Sequence, residues 1–226
     1  MEKPGYVSTH EGYFIIGELN GKTTPRIQEL ARILSLVKRT DITDNIFKER
    51  WDKLCQVTMT IPISSILGEG GGPGILRYEN FHTLLARIMS ENLRVAAAAG
   101  YRFDTMLGLK TQDWQRLARG PAPEVSRILV KGAVPATPPP GTADIPPDKP
   151  SNIPVSGDII SRDIARGLPI EMYYLTGYII NKGRENGVPT PVNELILSML
   201  KAMEKGEIKP GLNHLDEMLK KTAVNG

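Results

Sequence analysis

Residues 187–193 read GVPTPVN, and this stretch joins two helical segments late in the chain. Gly187 is typical of a residue that ends a helix, and the two prolines fix the backbone of the turn that follows. Thr190 is expected to cap the next helix, in which Pro191 suits the first turn. The stretch therefore predicts two consecutive helices joined by a tight turn, and we assign it a purely architectural role.

Helical periodicity extends over most of the chain on both sides of this turn. Apolar residues recur at spacings of three and four, and Gly100 stops the clearest of these segments. Pro62 lies inside an earlier segment, where it removes an amide donor and is expected to kink or restart the helix. The chain is therefore predicted to be mainly α. The predicted helices cover residues 44–67, 78–99, 159–166, 170–186 and 191–204.

The opening of the chain has a different character. Residues 13–16 form a short apolar, β-prone run, Asn20-Gly21 is a turn signal, and Thr24-Pro25 starts a helix. One strand and one helix cannot bury each other's apolar surface. Residues 1–43 are therefore predicted to be a strand–helix remnant of a larger α/β domain, and residues 44–226 a helical domain.

Two connectors interrupt the helical domain. Residues at about 120–155 are rich in proline, which resists helix and sheet pairing, although a short helix near 125–129 is compatible with the sequence. We interpret this insert as a solvated loop, and a docking segment for a proline-recognition partner is the alternative. The glycine tract at 70–74 resembles a phosphate loop superficially. No strand leads into it and no Lys-Ser/Thr follows, so we interpret it as a connector.

Composition narrows the class of protein. The chain has 226 residues, of which 40% are hydrophobic and 23% charged, as in ordinary globular proteins. The net charge of +3 is not concentrated in one cluster, so we expect no nucleic-acid partner. Neither a signal peptide nor a membrane-spanning run is recognisable, and Cys55 alone cannot form an intramolecular disulfide. We expect a cytoplasmic protein with no membrane association and, because its three histidines are scattered, no metal site.

Three stretches together resemble the ketopantoate reductase family. The first is WDKL at residues 51–54, preceded by Asp41-Ile42, and the second is GLPIE at 167–171, followed by LTG at 175–177. The third is the GVPTPVN turn. Their order and spacing carry the resemblance. It implies a C-terminal helical bundle of the ketopantoate reductase and 6-phosphogluconate dehydrogenase C-terminal type, preceded by a remnant of a Rossmann domain.

The resemblance also implies a chemistry. The family reduces 2-dehydropantoate with NADPH, a step of pantothenate biosynthesis, in a cleft between a Rossmann domain and a helical domain. Lys53 matches the family's catalytic lysine, whose ammonium group can protonate the alkoxide left by hydride transfer. Glu171 matches the acidic residue that contacts the cofactor, and its carboxylate could bind ribose hydroxyls or hold the lysine in position. NADP, a small-molecule 2-keto acid and a homodimer are the implied cofactor, ligand and assembly.

The chain departs from the family at the substrate positions. Val57 and Ile61 occupy the places of asparagines that hydrogen-bond the substrate in the family. Ile159 stands in place of a substrate-contacting serine, which Ser156 or Ser161 replaces only if the helix register differs. A polar substrate group that is buried without a hydrogen-bond partner weakens the binding free energy by about 1–3 kcal/mol. A less polar 2-keto acid, or another carbonyl compound, therefore fits Val57 and Ile61 better than 2-dehydropantoate does.

The second departure from the family concerns the residues that bind the cofactor. Nothing before Tyr13 supplies the Gly-x-Gly-x-x-Gly turn that a dinucleotide diphosphate needs. The chain alone is therefore expected to be inactive, with a Rossmann domain supplied by a partner chain or by sequence upstream of Met1. The alternative hypothesis is a non-catalytic helical module for dimerisation or binding, in which exposed apolar surface favours association.

Overall fold

The computed structural model describes residues 13–68, 78–133 and 159–223. By its internal contacts the chain divides into two compact units, Met1–Lys53 and Leu54–Gly226. The glycine tract at 70–74 and most of the proline-rich insert lie outside the described residues.

The first unit contains a βαβ motif. Strands β1 (Phe14–Ile16) and β2 (Thr40–Ile42) flank helix α1 (Pro25–Leu34) in the sequence and pair in parallel, with Phe14 opposite Thr40. The predicted start of α1 is confirmed, because Thr24 is the N-cap and its hydroxyl accepts a hydrogen bond from the amide of Ile27 at 3.3 Å. The second strand was not predicted, since a three-residue strand of sequence TDI carries little apolar signal.

Helix α2 (Ile46–Leu67) begins in the first unit and ends in the second. It runs through Pro62 without restarting, so of the two expected effects of this proline, a kink or a restart, the restart does not occur. An interior proline costs about 3 kcal/mol in a helix because its missing amide leaves one carbonyl unpaired and its ring crowds the preceding turn. Burial offsets this cost, since Ile63 and Ile66 are fully buried on the C-terminal side of Pro62.

The second unit is a helical bundle, which confirms the predicted fold class. Helix α3 is its centre and packs against α4, α5, α7, α8 and α9. The prediction located α3, α6, α7 and α8, and Gly100 follows the end of α3 with φ of +92° as expected for a helix stop. The helices are α3 (Glu79–Ala98), α4 (Thr111–Ala118), α5 (Pro123–Ala133), α6 (Ile159–Ala165), α7 (Met172–Glu185), α8 (Pro191–Glu204) and α9 (Asn213–Lys221).

A small hairpin between α3 and α4 was not predicted. Strands β3 (Thr105–Met106) and β4 (Leu109–Lys110) pair in antiparallel fashion around a two-residue turn. Leu107 and Gly108 both have positive φ, 49° and 76°, which is the pattern of a type I′ turn. Leucine is a rare first residue for such a turn, so the residue types at this turn do not indicate a hairpin. The indole nitrogen of Trp114 donates to the carbonyl of Met106 at 2.9 Å and attaches the hairpin to α4.

Gly183 lies where α7 touches the turn into α8. A Cβ atom at this position would lie 2.6 Å from the carbonyl oxygen of Val188 and 2.7 Å from Cγ2 of Thr190. A backbone carbonyl and a buried side chain cannot move away cheaply. We expect Gly183→Ala to lower the free energy of unfolding by about 1–3 kcal/mol, measured by urea denaturation.

Gly177 provides the matched control in the same helix. Among the described residues, and apart from its chain neighbours and the backbone of its own helix, no heavy atom lies within 4 Å of its ideal Cβ position. Alanine there should leave stability unchanged or raise it by about 0.5–1 kcal/mol, because alanine is the better helix former. Equal effects of the two substitutions would contradict the assignment of Gly183 as a close-packing residue.

Candidate functional site

Helix α2 carries three of the predicted site residues at intervals of four, namely Lys53, Val57 and Ile61. Residues four apart lie on one side of a helix. The side chain of Lys53 is exposed, and those of Val57 and Ile61 are half-buried. One helix therefore presents an ammonium group followed by two apolar side chains. The catalytic role of Lys53 and the substrate role of the other two stay predictions.

Glu171 lies on a different helix. It occupies the N-cap position of α7 with φ of −64° and ψ of −17°, and its side chain makes no capping hydrogen bond. The residue is exposed, so both carboxylate oxygens can accept hydrogen bonds from a ligand. Such an arrangement suits a pair of ribose hydroxyls. Whether Glu171 and the α2 residues serve one site stays a prediction.

The expected replacements for the substrate-contacting serine are only partly described. Ile159 is the first residue of α6 and is 41% exposed. Ser161 is half-buried in the same helix, and Ser156 lies outside the described residues. The structure thus puts an apolar side chain at the position that the family resemblance assigns to the serine.

A buried carboxylate organises the turn that precedes α8. Glu91 of α3 is only 1% exposed, and its two oxygens accept hydrogen bonds from the amides of Val192 at 2.7 Å and Asn193 at 3.0 Å. These amides are otherwise unpaired at the start of a helix. Thr190 occupies the N-cap position but its side chain makes no capping hydrogen bond, so the predicted cap is wrong. Glu91 takes that part because a carboxylate is the stronger acceptor.

The hydrogen bonds of Glu91 extend from α3 and α8 to a third helix, α2, through two side-chain amides. The Nδ2 atom of Asn193 donates to Glu91 at 2.8 Å and to Oδ1 of Asn92 at 3.0 Å. Asn92 in turn donates from Nδ2 to the hydroxyl of Thr58 in α2 at 2.9 Å. We name these four residues, Thr58, Glu91, Asn92 and Asn193, the Glu91 network. It ties α8, α3 and α2 together.

Sequence reasoning missed the Glu91 network although a signal was present. The apolar face of α3 includes Ile88, and the next positions on that face at helical spacing are Glu91 and Asn92. Two polar residues on a face that is otherwise apolar indicate a buried polar partner. The partner lies within the GVPTPVN turn, for which the sequence predicted only a cap by Thr190.

Burial raises the pKa of Glu91 above its ordinary value of 4.5, against the opposing effect of the hydrogen bonds from Val192 and Asn193 and of the charge of Arg94. The folded protein therefore holds this proton at a higher pH than the unfolded chain. The contribution of Glu91 to stability is fully present below pH 4.5 and decreases as the pH rises through the raised pKa.

This linkage predicts a difference between the wild type and Glu91→Gln. Relative to the glutamine variant, the free energy of unfolding of the wild type should fall as the pH rises from about 4 toward 7. Urea denaturation at several pH values measures the difference. A wild-type stability that rises relative to Glu91→Gln over this range would contradict the burial-dominated pKa.

The βαβ motif does not fit the diphosphate of a dinucleotide. The carboxylate of Glu18 accepts a hydrogen bond from the hydroxyl of Thr24 at 2.6 Å and pairs with Arg26 at the N-terminus of α1. The hydrogen bond from Arg26 lowers the pKa of Glu18, so this carboxylate is ionised at neutral pH. A diphosphate needs unpaired amides and no nearby negative charge.

Within residues 13–68, 78–133 and 159–223, no group of three or more His, Cys, Asp and Glu side chains could hold a metal ion. His214 instead hydrogen-bonds the carbonyl of Lys209 through Nε2 at 2.9 Å, and the thiol of Cys55 is fully buried. None of the helices in these ranges is long and apolar enough to cross a membrane.

Comparison with known sequences identifies relatives. Residues 150–204 match the family model described as ketopantoate reductase PanE/ApbA C terminal. A 2-dehydropantoate 2-reductase of Archaeoglobus fulgidus is 22% identical over 197 residues, which are 87% of this chain and 54% of that protein. The enzyme of the same name from Vibrio cholerae is 34% identical over 44 residues, 20% of this chain and 15% of that protein. The chain thus spans about half the length of the Archaeoglobus relative.

Solved structures share the fold. A PanE/ApbA family ketopantoate reductase from Ralstonia eutropha matches with a TM-score of 0.56 and 21% identity, covering 88% of this chain and 53% of that one. The 2-dehydropantoate 2-reductase of Methylococcus capsulatus matches with a TM-score of 0.56 and 22% identity. The match covers 89% of this chain and 57% of that one. D-mandelate dehydrogenase in complex with NADH and anilino(oxo)acetate matches with a TM-score of 0.58 and 19% identity. The match covers 88% of this chain and 68% of that one.

Proposed function

We propose that the chain is the substrate-binding and proton-donating half of a nicotinamide-dependent 2-keto acid reductase of the ketopantoate reductase type, on the basis of the match of residues 150–204 to the C-terminal model of that family. The observation that carries the proposal is the arrangement on α2. An exposed Lys53 precedes the half-buried Val57 and Ile61 at intervals of one helical turn.

Lys53 is the proposed general acid. Reduction of a ketone adds a hydride to the carbonyl carbon and leaves its oxygen as an alkoxide, which needs a proton. The Nζ atom of Lys53 donates that proton, and its positive charge stabilises the developing negative charge beforehand. The amine then regains a proton from water. A nicotinamide cofactor, when bound, supplies the hydride, and NADP is the cofactor that the family resemblance favours.

Glu171 is the proposed cofactor contact of this chain. Its exposed carboxylate at the start of α7 can accept hydrogen bonds from two ribose hydroxyls. The diphosphate is held elsewhere, because Glu18 and Thr24 already occupy the N-terminus of α1. We propose that a Rossmann domain, on a partner chain or on a longer form of this polypeptide, binds the diphosphate.

The proposed substrate is a 2-keto acid less polar than 2-dehydropantoate. Val57 and Ile61 can neither donate nor accept a hydrogen bond through their side chains, so a substrate hydroxyl beside them would be left unpaired. An apolar side chain on the substrate would instead be buried against them. The preference should therefore favour alkyl or aryl 2-keto acids.

A reconstituted reductase tests this function. It is the full chain joined to the nucleotide-binding domain that its own gene encodes upstream or, where none is encoded there, to that of the Archaeoglobus relative. It should oxidise NADPH only when a 2-keto acid is present, as followed by the loss of absorbance of the reduced nicotinamide. No oxidation with any alkyl, aryl or hydroxylated 2-keto acid would overturn the proposal.

Restoring asparagine at both substrate positions should change specificity. In the reconstituted reductase, Val57→Asn combined with Ile61→Asn should raise the ratio of kcat/KM for 2-dehydropantoate to that for 2-ketoisovalerate by about 10–100-fold. The two compounds differ by one hydroxymethyl group, which the introduced amides can hydrogen-bond. The exposed Thr60 of the same helix gives the control, since Thr60→Asn should leave the ratio unchanged. A ratio that moves toward the apolar acid would contradict the assignment.

A non-catalytic module for dimerisation or binding is the second candidate. The first unit favours it by exposing large apolar side chains, with Leu19 75%, Leu36 79% and Val37 66% exposed. Such surface favours association. A stable dimer of the chain that gives no NADPH-dependent turnover after reconstitution would support this candidate over the reductase.

A further inference from the structure

We propose that Asn92 is a positioning residue that fixes the segment of α2 carrying Val57 and Ile61. The inference rests on the proposed function, in which these two side chains line the substrate pocket. Asn92 belongs to α3 and acts on them only through Thr58, which follows Val57 directly in the sequence. The side chain of Asn92 would therefore set the shape of the pocket through the helix that forms its wall.

The hydrogen bonds of Asn92 have a fixed direction. Asn193 donates to Oδ1 of Asn92 at 3.0 Å, and Asn92 donates from Nδ2 to the hydroxyl oxygen of Thr58 at 2.9 Å. A rotated Asn92 amide would put two donors face to face at Asn193, whose own Nδ2 is held by Glu91 at 2.8 Å. All three linking residues, Thr58, Asn92 and Asn193, are fully buried, so no solvent is at hand to replace these bonds.

Helix α2 needs an external contact at this point because its own hydrogen bonding is weakened there. Pro62 cannot donate to the carbonyl of Thr58, four residues earlier. The hydroxyls of Thr58 and Ser65 bond back to the carbonyls of Leu54 at 2.7 Å and Ile61 at 2.9 Å, a pattern that often bends helices. The contact from Asn92 falls within this stretch. It therefore determines where Val57 and Ile61 lie.

Thr58→Val tests the inference because valine keeps the shape of threonine and removes the hydroxyl. In the reconstituted reductase it should change the ratio of kcat/KM between 2-ketoisovalerate and the unbranched 2-ketobutyrate by about tenfold. The two substrates differ by one methyl group, and a hydrophobic pocket discriminates such a difference by about this factor. Thr58→Ser keeps the hydroxyl and should restore the wild-type ratio to within about twofold. Thr58→Ala, which introduces no unmatched methyl, should shift the ratio as valine does and serves if the valine variant fails to fold.

Thr60→Val is the matched control. The Thr60 hydroxyl also bonds back to a carbonyl, that of Gln56 at 3.0 Å, but it is exposed and has no bond to Asn92. Its loss should leave the ratio unchanged. Amide hydrogen exchange of the full chain adds a readout independent of turnover, in which residues 57–61 should exchange faster in Thr58→Val than in Thr60→Val.

The outcomes separate the inference from the function on which it rests. A merely structural role of Thr58 would lower kcat/KM for both substrates by the same factor through loss of folded protein. An unchanged ratio in an active Thr58→Val enzyme would therefore overturn the positioning of α2 and leave the reductase proposal intact. No turnover of any 2-keto acid by the wild type would overturn both.

Discussion

Replacement of Lys53 by alanine should lower the turnover of the reconstituted reductase by about 10²–10⁴-fold, the usual worth of a general acid. Alanine can neither protonate the alkoxide nor stabilise its charge. Because Lys53 is exposed on α2, the substitution should leave the fold intact, and NADPH binding should stay within about twofold of the wild type. Steady-state kinetics and a binding titration on the same preparation measure both quantities.

Two substitutions sharpen the Lys53 experiment. Lys53→Arg keeps the positive charge but holds its proton too tightly to act as an acid, so its turnover should lie between those of the wild type and the alanine variant. Lys48 is also exposed on α2 and gives the matched control, for which Lys48→Ala should change turnover by less than about twofold. A loss of less than about threefold in Lys53→Ala would mean that the lysine is not the acid.

Glu91→Ala should lower the free energy of unfolding by about 3 kcal/mol, more than Gly177→Ala or Glu194→Ala. The amides of Val192 and Asn193 would lose their acceptors inside the protein, and each unpaired buried donor costs about 1–3 kcal/mol. The Nδ2 atom of Asn193 would also lose one of its two acceptors. Urea denaturation followed by circular dichroism measures the loss.

Glu194 is the control for Glu91. It lies in the first turn of the same helix, α8, but is exposed and pairs with Arg184 at 3.2 Å. An exposed ion pair is worth less than about 1 kcal/mol, so Glu194→Ala should have a small effect. Comparable losses in Glu91→Ala and Glu194→Ala would contradict the view that the buried carboxylate caps α8.

The longer helices could be predicted because their signals are local. Strong apolar periodicity located α3, α7 and α8, and glycine or proline marked several of their ends. Helices α4 and α9 were missed because eight or nine residues hold too few apolar positions to establish a period. The range of α2 was also predicted, but its continuity through Pro62 was not, since the burial that stabilises the second half of this helix depends on tertiary packing.

In the candidate site, too, local features could be predicted from the sequence and features that depend on tertiary packing could not. The three residues on α2 could be named from sequence because their spacing is local and the family resemblance supplied their roles. The cap of α8 could not, because Glu91 precedes Asn193 by about a hundred residues and only the packing of α3 beside α8 brings them together. The prediction of a turn before α8 is confirmed, but the prediction that Thr190 caps this helix is wrong, because Glu91 accepts the hydrogen bond from the amide of Val192.

The most direct test of the central claim is a fluorescence titration of NADPH into the chain, alone and as the reconstituted reductase, for the wild type and Glu171→Gln. We expect saturable binding in the reconstituted wild type, weaker binding in Glu171→Gln, and little binding to the chain alone, in which Glu18 and Thr24 hydrogen-bond each other at the N-terminus of α1. Absence of NADPH binding both with and without the nucleotide-binding domain would contradict the claim that this chain is half of a nicotinamide-dependent reductase.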